Sequence, residues 1–233
     1  MKKWNATSVW IPLCGLVSFL ALLSCQGKAL HPTYQFVAPD FASHPIKRIL
    51  VLPIVLTSVE ARERMTEEHG NPEVEKDAVA IVSGLLVRGL KSGAKYLFVV
   101  PEEGASLAGR GGVSEEYKSL VAQWKKDLVI DKEKVMKVGA STGVDAFLCP
   151  EIFRWRSVKV DPSWSEGYSH SDVGIRLILY GAGNGEVAWK VADENSLKSS
   201  FFTKTSAFQT PPDAPEMETV TQMVVDAVLE AMP

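Results

Sequence analysis

"DVGIRLILYGAGNGEVAWKVA" (residues 172–192) is the stretch on which the fold turns. Val173, Ile175, Leu177 and Leu179 fall on one face, and Gly174, Arg176, Ile178 and Tyr180 on the other, the period of a β-strand. Asn184-Gly185 is a strong tight-turn pair, and "EVAWKVA" (186–192) resumes an extended apolar pattern. Strand, turn and strand are therefore expected, with a type I′ turn and positive φ at both Asn184 and Gly185. The glycines also invite a phosphate-loop reading. It fails on register, because the third glycine would fall at Glu186 and a strand follows instead of a helix.

Upstream, "VDAFLCPEIFRWRSVKV" (144–160) reads as a strand continuing past Pro150. Simple alternation places Phe153 and Trp155 on one face and Arg154 and Arg156 on the other. Downstream, 196–208 is ambiguous and contains strand-like residues. "IKRILVLPIVL" (46–56) has the unbroken apolar, β-branched character of an inner strand that Pro53 ends or bulges. The segment 57–73 reads as loop or frayed helix. Ala78, Ile81, Val82, Leu85, Leu86 and Leu90 then recur at helical spacing from Glu75 to Ser92, with Gly93 as the stop.

"KYLFVVP" (95–101) is a second strand, and the four glycines of 102–113 suggest a flexible loop. Ser114 is expected to cap a helix whose Tyr117, Leu120, Val121, Trp124 and Leu128 share a face. A short helix follows from about Asp131 to Gly139 or Gly143. Asp213 with Glu216 forms a capping-box pattern before a last helix with Val220, Val224 and Val228 on its apolar face. The order β-α-β-α-α-β-β-β-α predicts an α/β fold, a mixed β-sheet with helices packed on it, as one domain over residues 46–233.

The amino terminus has a different logic. Lys2 and Lys3 precede an apolar segment from Val9 to Leu23, which is shorter than the roughly 20 residues of a spanning helix. Leu22-Leu23-Ser24-Cys25 resembles the bacterial lipobox, which predicts a signal peptide over 1–24 and a lipidated Cys25. An ordinary cleaved signal and an uncleaved anchor are the alternatives. Residues 25–45, with three prolines and no period, read as the lipidated cysteine and its tether. Gln26 after the lipidated cysteine favours the outer membrane under the usual sorting rule, giving a lipid-anchored protein on the periplasmic face.

Without residues 1–24, 23 Lys and Arg remain against 28 Asp and Glu, a charge of −5 with no long block of either sign. That gives no support for nucleic-acid binding. Cys149 is then the only thiol left besides Cys25 and sits in an apolar strand, so a buried, inert side chain is expected.

"RILVLPI", "GASTGVDAFLCPEI" and "LILYGAGNGEVAWK" together resemble the opening strand, the helix end with third strand, and the hairpin of a broad group of envelope lipoproteins. Their domain is similar to the amino-terminal domain of TolB, and the group includes curli-secretion (CsgG-type) lipoproteins. The resemblance spans about 46–233. It implies a non-catalytic assembly or transport accessory that binds another envelope protein. Its alternative is a homo-oligomeric subunit of an outer-membrane secretion channel. Curli-type pores insert two long amphipathic hairpins, whereas 150–181 offers at most one, with a polar turn.

No cofactor, metal or catalytic set is expected. The histidines His31, His44, His69 and His170 lack metal-ligand spacing. "SHSD" (169–172) places Ser, His and Asp together, but neighbours on a strand point to opposite faces, and a solvated cluster is expected. "FRWR" with Trp164 and Tyr168 is the candidate partner-binding region, specifically Arg154, Arg156, Trp164 and Tyr168.

Overall fold

A computed structural model describes residues 33–43, 45–57, 72–93, 95–158, 169–199 and 214–233. Cys25, Trp164, Tyr168, Asp213, and His31, His44 and His69 lie outside these residues.

The alternating stretch forms β6 (Ser169–Gly181), and "EVAWKVA" opens β7 (Val187–Ser199). The upstream apolar run forms β5 (Ala146–Val158), antiparallel to β6. On its other side β5 pairs in parallel with β2 (Arg48–Val51) and β3 (Val55–Leu56). The strand β4 (Leu97–Val99) adds in parallel beyond β2. A further strand, β1 (Tyr34–Val37), adds antiparallel to β7. The result is a seven-stranded mixed sheet in the order β1-β7-β6-β5-β2-β4, with β3 beside β5.

Five helices among the described residues divide between the two faces. On one face α1 (Pro72–Ser92) and α5 (Met217–Glu230) cover Ile49, Leu148, Ile152, Trp155, Ile175 and Trp189. On the other, α2 (Pro101–Arg110), α3 (Ser114–Asp127) and α4 (Lys132–Thr142) cover Leu50, Phe147, Cys149, Ile178 and Tyr180. β5 feeds both cores, which explains its nearly unbroken apolar first half. No helix among the described residues is long and apolar enough to cross a membrane.

Asp145, at the entrance to β5, ties three elements together. Its Oδ2 accepts from the backbone N–H groups of Lys47 (2.9 Å) and Arg48 (2.8 Å). Its own N–H donates to Arg48 O, and its carbonyl accepts from Ala182 N, both at 2.8 Å. One residue thus fixes β2, β5 and the β6–β7 turn to each other. The prolines are accommodated at a single defect. Val51 is in register with Leu148 and Val55 with Glu151, so three residues face two across the gap containing Pro53 and Pro150. The Pro53 carbonyl, released from the ladder, accepts from Trp124 Nε1 at 3.1 Å.

Several sequence expectations change. The glycine-rich segment 102–113 is mostly the helix α2. Pro101 starts it, and bare Gly104 lies close to Leu50 and the Tyr117 hydroxyl. Ser114 is the first residue of α3 and Val113 its cap, without a side-chain bond. Glu216 occupies the cap of α5, not its third position. By contrast α4 begins next to Asp131 and ends at Gly143 as expected; Asp131 proves to be its cap, accepting from Lys134 N at 3.0 Å, and Gly143 lies in the left-handed region. Residues 34–37, read as tether, are a strand of the sheet.

The β6–β7 connection is longer than a two-residue type I′ turn. Gly181 N donates to Glu186 O and Gly185 N to Gly181 O, while Asn184 Oδ1 accepts from Glu186 N. Only Gly185 has positive φ, +67°, among the residues of this turn. A Cβ there would lie 2.7 Å from the Lys132 carbonyl oxygen, because the turn is seated on the start of α4. Gly185→Val therefore meets both backbone strain and a backbone clash, and we expect a loss of about 2–4 kcal/mol in urea unfolding.

Cys149 is fully buried, and desolvation pushes its thiol well above the ordinary value. A bulky thiol reagent should label the native protein far more slowly than the denatured one. Raising the pH past about 8.5 ionises this thiol only in the unfolded chain, so its contribution lowers stability as pH rises further.

Candidate partner-binding face

The three long strands outrun the helices on one side. Along β6, the residues of 169–179 that point to the α1/α5 face are buried throughout. On the opposite face Ile178 and Tyr180 are buried, whereas His170, Asp172 and Arg176 are half-buried. On β7, Glu194, Ser196 and Lys198 are exposed on that same side. The far half of the β5–β7 sheet is thus packed on one face and open on the other.

A bulge in β5 sets the composition of the open face. Ile152 pairs with Ile175 and Arg154 with Gly174, leaving Phe153 as the extra residue. Trp155 returns to the α1/α5 core, but Phe153 does not share its face. Its ring lies over Gly174, where a Cβ would come within 2.6 Å of it, and the Arg176 guanidinium stands 5.3 Å from the ring centroid. Simple alternation missed this, since it presumes an unbroken register.

Around Phe153 the charges form two kinds of pair. Glu151 is only 2% exposed. Its Oε1 accepts from Thr57 Oγ1 and its Oε2 from Arg176 Nη1, both at 2.6 Å. Arg154, across the bare Gly174, reaches Glu194 on β7 at 3.1 Å, with both side chains over 40% exposed. Arg156 stands directly opposite Asp172 in register. Of the four partner-binding residues expected from sequence, Arg154 and Arg156 share this face; Trp164 and Tyr168 lie outside the described residues. The roles of Phe153, Arg176 and Glu194 were not legible, because they depend on the bulge and on pairing across three strands.

The Ser-His-Asp cluster divides as its alternation requires. His170 Nε2 lies 3.5 Å from Asp172 Oδ2 on the open side. Ser169 and Ser171 are buried on the other, contrary to the expected solvated cluster, and Ser171 Oγ donates to Pro215 O at 2.6 Å. No hydroxyl of this cluster faces the imidazole, so it is not a nucleophile–base pair. No group of three or more His, Cys, Asp or Glu among the described residues is placed to hold a metal.

A cleft of about 440 Å³ lies elsewhere, between Phe41, Ile46, Met136, Val144 and Val187. Two of its carboxylates have structural partners: Asp145 holds the β2 amides, and Glu186 pairs with Lys132 at 2.7 Å. The cleft is mainly apolar, and these acids serve the fold.

No family model matches the chain, and no curated protein matches it. Solved structures do align. A point variant of the PelC dodecamer from Paraburkholderia phytofirmans is similar at 13% identity and a TM-score of 0.43, over 85% of this chain and 95% of that one. The lipoprotein GNA1162 from Neisseria meningitidis is similar at 17% identity and 0.39, over 79% and 96%. The hypothetical protein CT253 from Chlamydia trachomatis is similar at 12% and 0.42, over 80% and 95%.

Two substitutions separate the pairs. Arg176→Met strips a buried carboxylate of its cation and should cost about 2–4 kcal/mol in denaturant unfolding. Arg154→Met breaks an exposed pair and should cost under about 1 kcal/mol. Equal costs would show that Glu151 is not the buried anchor of this face.

Proposed function

We propose that this chain is a lipid-anchored envelope lipoprotein, held through Cys25 on the periplasmic face of the outer membrane. It acts as a non-catalytic assembly or transport accessory that binds another envelope protein. The signal, the lipobox-like "LLSC" and the resemblance to TolB-like and curli-secretion domains support the anchoring.

The observation that carries the binding role is the open face of β5–β7, with Arg154, Phe153, Arg176 and Glu194 around bare Gly174. Its two pair types divide the work. Arg176 is fixed by a buried carboxylate and stands against the Phe153 ring. The exposed Arg154–Glu194 pair is worth little in water, so Arg154 can exchange Glu194 for a partner carboxylate at small cost. Arg156, Trp164 and Tyr168 extend the same binding region in this reading. The alternative is a subunit of an oligomeric outer-membrane secretion channel. The charged residues of the open face favour the accessory, since a barrel wall presents an apolar band to lipid.

Cys25→Ala should abolish labelling by a fatty-acid analogue. Arg154→Gln with Arg156→Gln should change the melting temperature little yet strongly reduce capture of the partner from crosslinked envelopes. Undiminished capture would remove this face from the interface. Loss of a membrane conductance formed by the purified protein would instead favour the channel.

A further inference from the structure

The strand β1 changes the geometry of anchoring. It is the outermost strand of the sheet, joined to β7 through the register Tyr34↔Ala192 to Val37↔Trp189. Thr33 fastens its start, with both its N–H and its hydroxyl donating to Asp193 Oδ1 at 3.1 Å. Gln35 adds a tie on the α1/α5 side of the sheet, its Nε2 donating to the Ala231 carbonyl at 2.8 Å. Residues 26–45 are therefore not all tether. From Cys25 to Tyr34 there are nine Cα steps in the sequence, which span about 32 Å at full extension.

The side chains at this short reach are unusual for a water-facing edge. Tyr34 is 49% and Phe36 39% exposed, and both stand on the open face of the sheet. Lys190 faces Phe36 in register, and its ammonium lies 5.7 Å from the Tyr34 ring centroid. Aromatic bodies beside a long cationic side chain suit the headgroup boundary of a bilayer, where rings sit among lipids and the ammonium reaches phosphate.

Resting on the Cys25 anchor proposed above, we infer that Tyr34, Phe36 and Lys190 form a second membrane contact that lays the β1 edge on the lipid surface. A partner protein on β1 would have to fit into the gap that the same short connection leaves. The lipid surface needs no such room. The contact orients the domain relative to the lipid surface.

The test is hydroxyl-radical footprinting of the full-length lipidated protein in vesicles of phosphatidylethanolamine and phosphatidylglycerol. The reference is the Cys25→Ala protein, dilute in buffer. Tyr34 and Phe36 should oxidise several-fold more slowly in vesicles, while Leu97, exposed on β4 at the other end of the sheet order, should not change. Equal rates at Tyr34 and Phe36, with lipid at Cys25 confirmed by mass, would overturn the contact and leave the anchor standing. A wild-type mass without lipid would overturn the anchor and the contact together. Slowing in the Cys25→Ala protein as its concentration rises would assign the edge to a second copy and overturn the membrane contact.

Discussion

Everything in the fold depends on β5 being paired on both sides and, through its first half, buried on both faces. It runs parallel to β2 and antiparallel to β6, so the topology of the sheet changes direction at this one strand. Asp145, just before it, holds that junction by accepting two β2 amides while its carbonyl receives Ala182 N from the hairpin turn. A carboxylate with two backbone donors is a strong tie, and it joins elements separated by about a hundred residues of chain. The two helix layers then have a common floor on which to pack.

The same strand generates the open face. Up to Ile152 its side chains alternate between two covered cores; past the bulge at Phe153 only one side is covered. Gly174 opposite the bulge has no side chain, so the Phe153 ring can take the space a Cβ would fill and Arg154 can cross to β7. A Cβ at Gly174 would close this arrangement. The buried Glu151–Arg176 pair anchors it from below, an ion pair whose value lies in fixing geometry more than in stabilising the fold.

How much of this the sequence carried differs from element to element. The β6 strand, the apolar faces of α1, α3 and α5, the start of α4 near Asp131 and the buried Cys149 follow from local periodicity and composition, and the structure agrees. The helix α2 was hidden because glycine lowers helix propensity by about 1 kcal/mol per residue, a local term that packing against Leu50 and Tyr117 outweighs. The strand β1 was hidden because "YQFV" is too short to show a period and lies among prolines; its partner is more than 150 residues away. Of the candidate site, the two arginines were legible as residue types, whereas the bulge that aims Phe153 was not. Bulges are written in the pairing of two strands, not in one.

Membership of β1 in the sheet is the central claim, because it brings the domain that carries the open face of β5–β7 within nine residues of Cys25, the proposed site of the lipid. Amide hydrogen exchange of the purified protein tests it most directly. Amides in 34–37 paired with β7 should exchange far more slowly than an unstructured chain, and their protection should fall when Asp193→Ala removes the Thr33 acceptor. Exchange of 34–37 at the rate of an unstructured chain in the wild type would contradict the claim and return this segment to the tether.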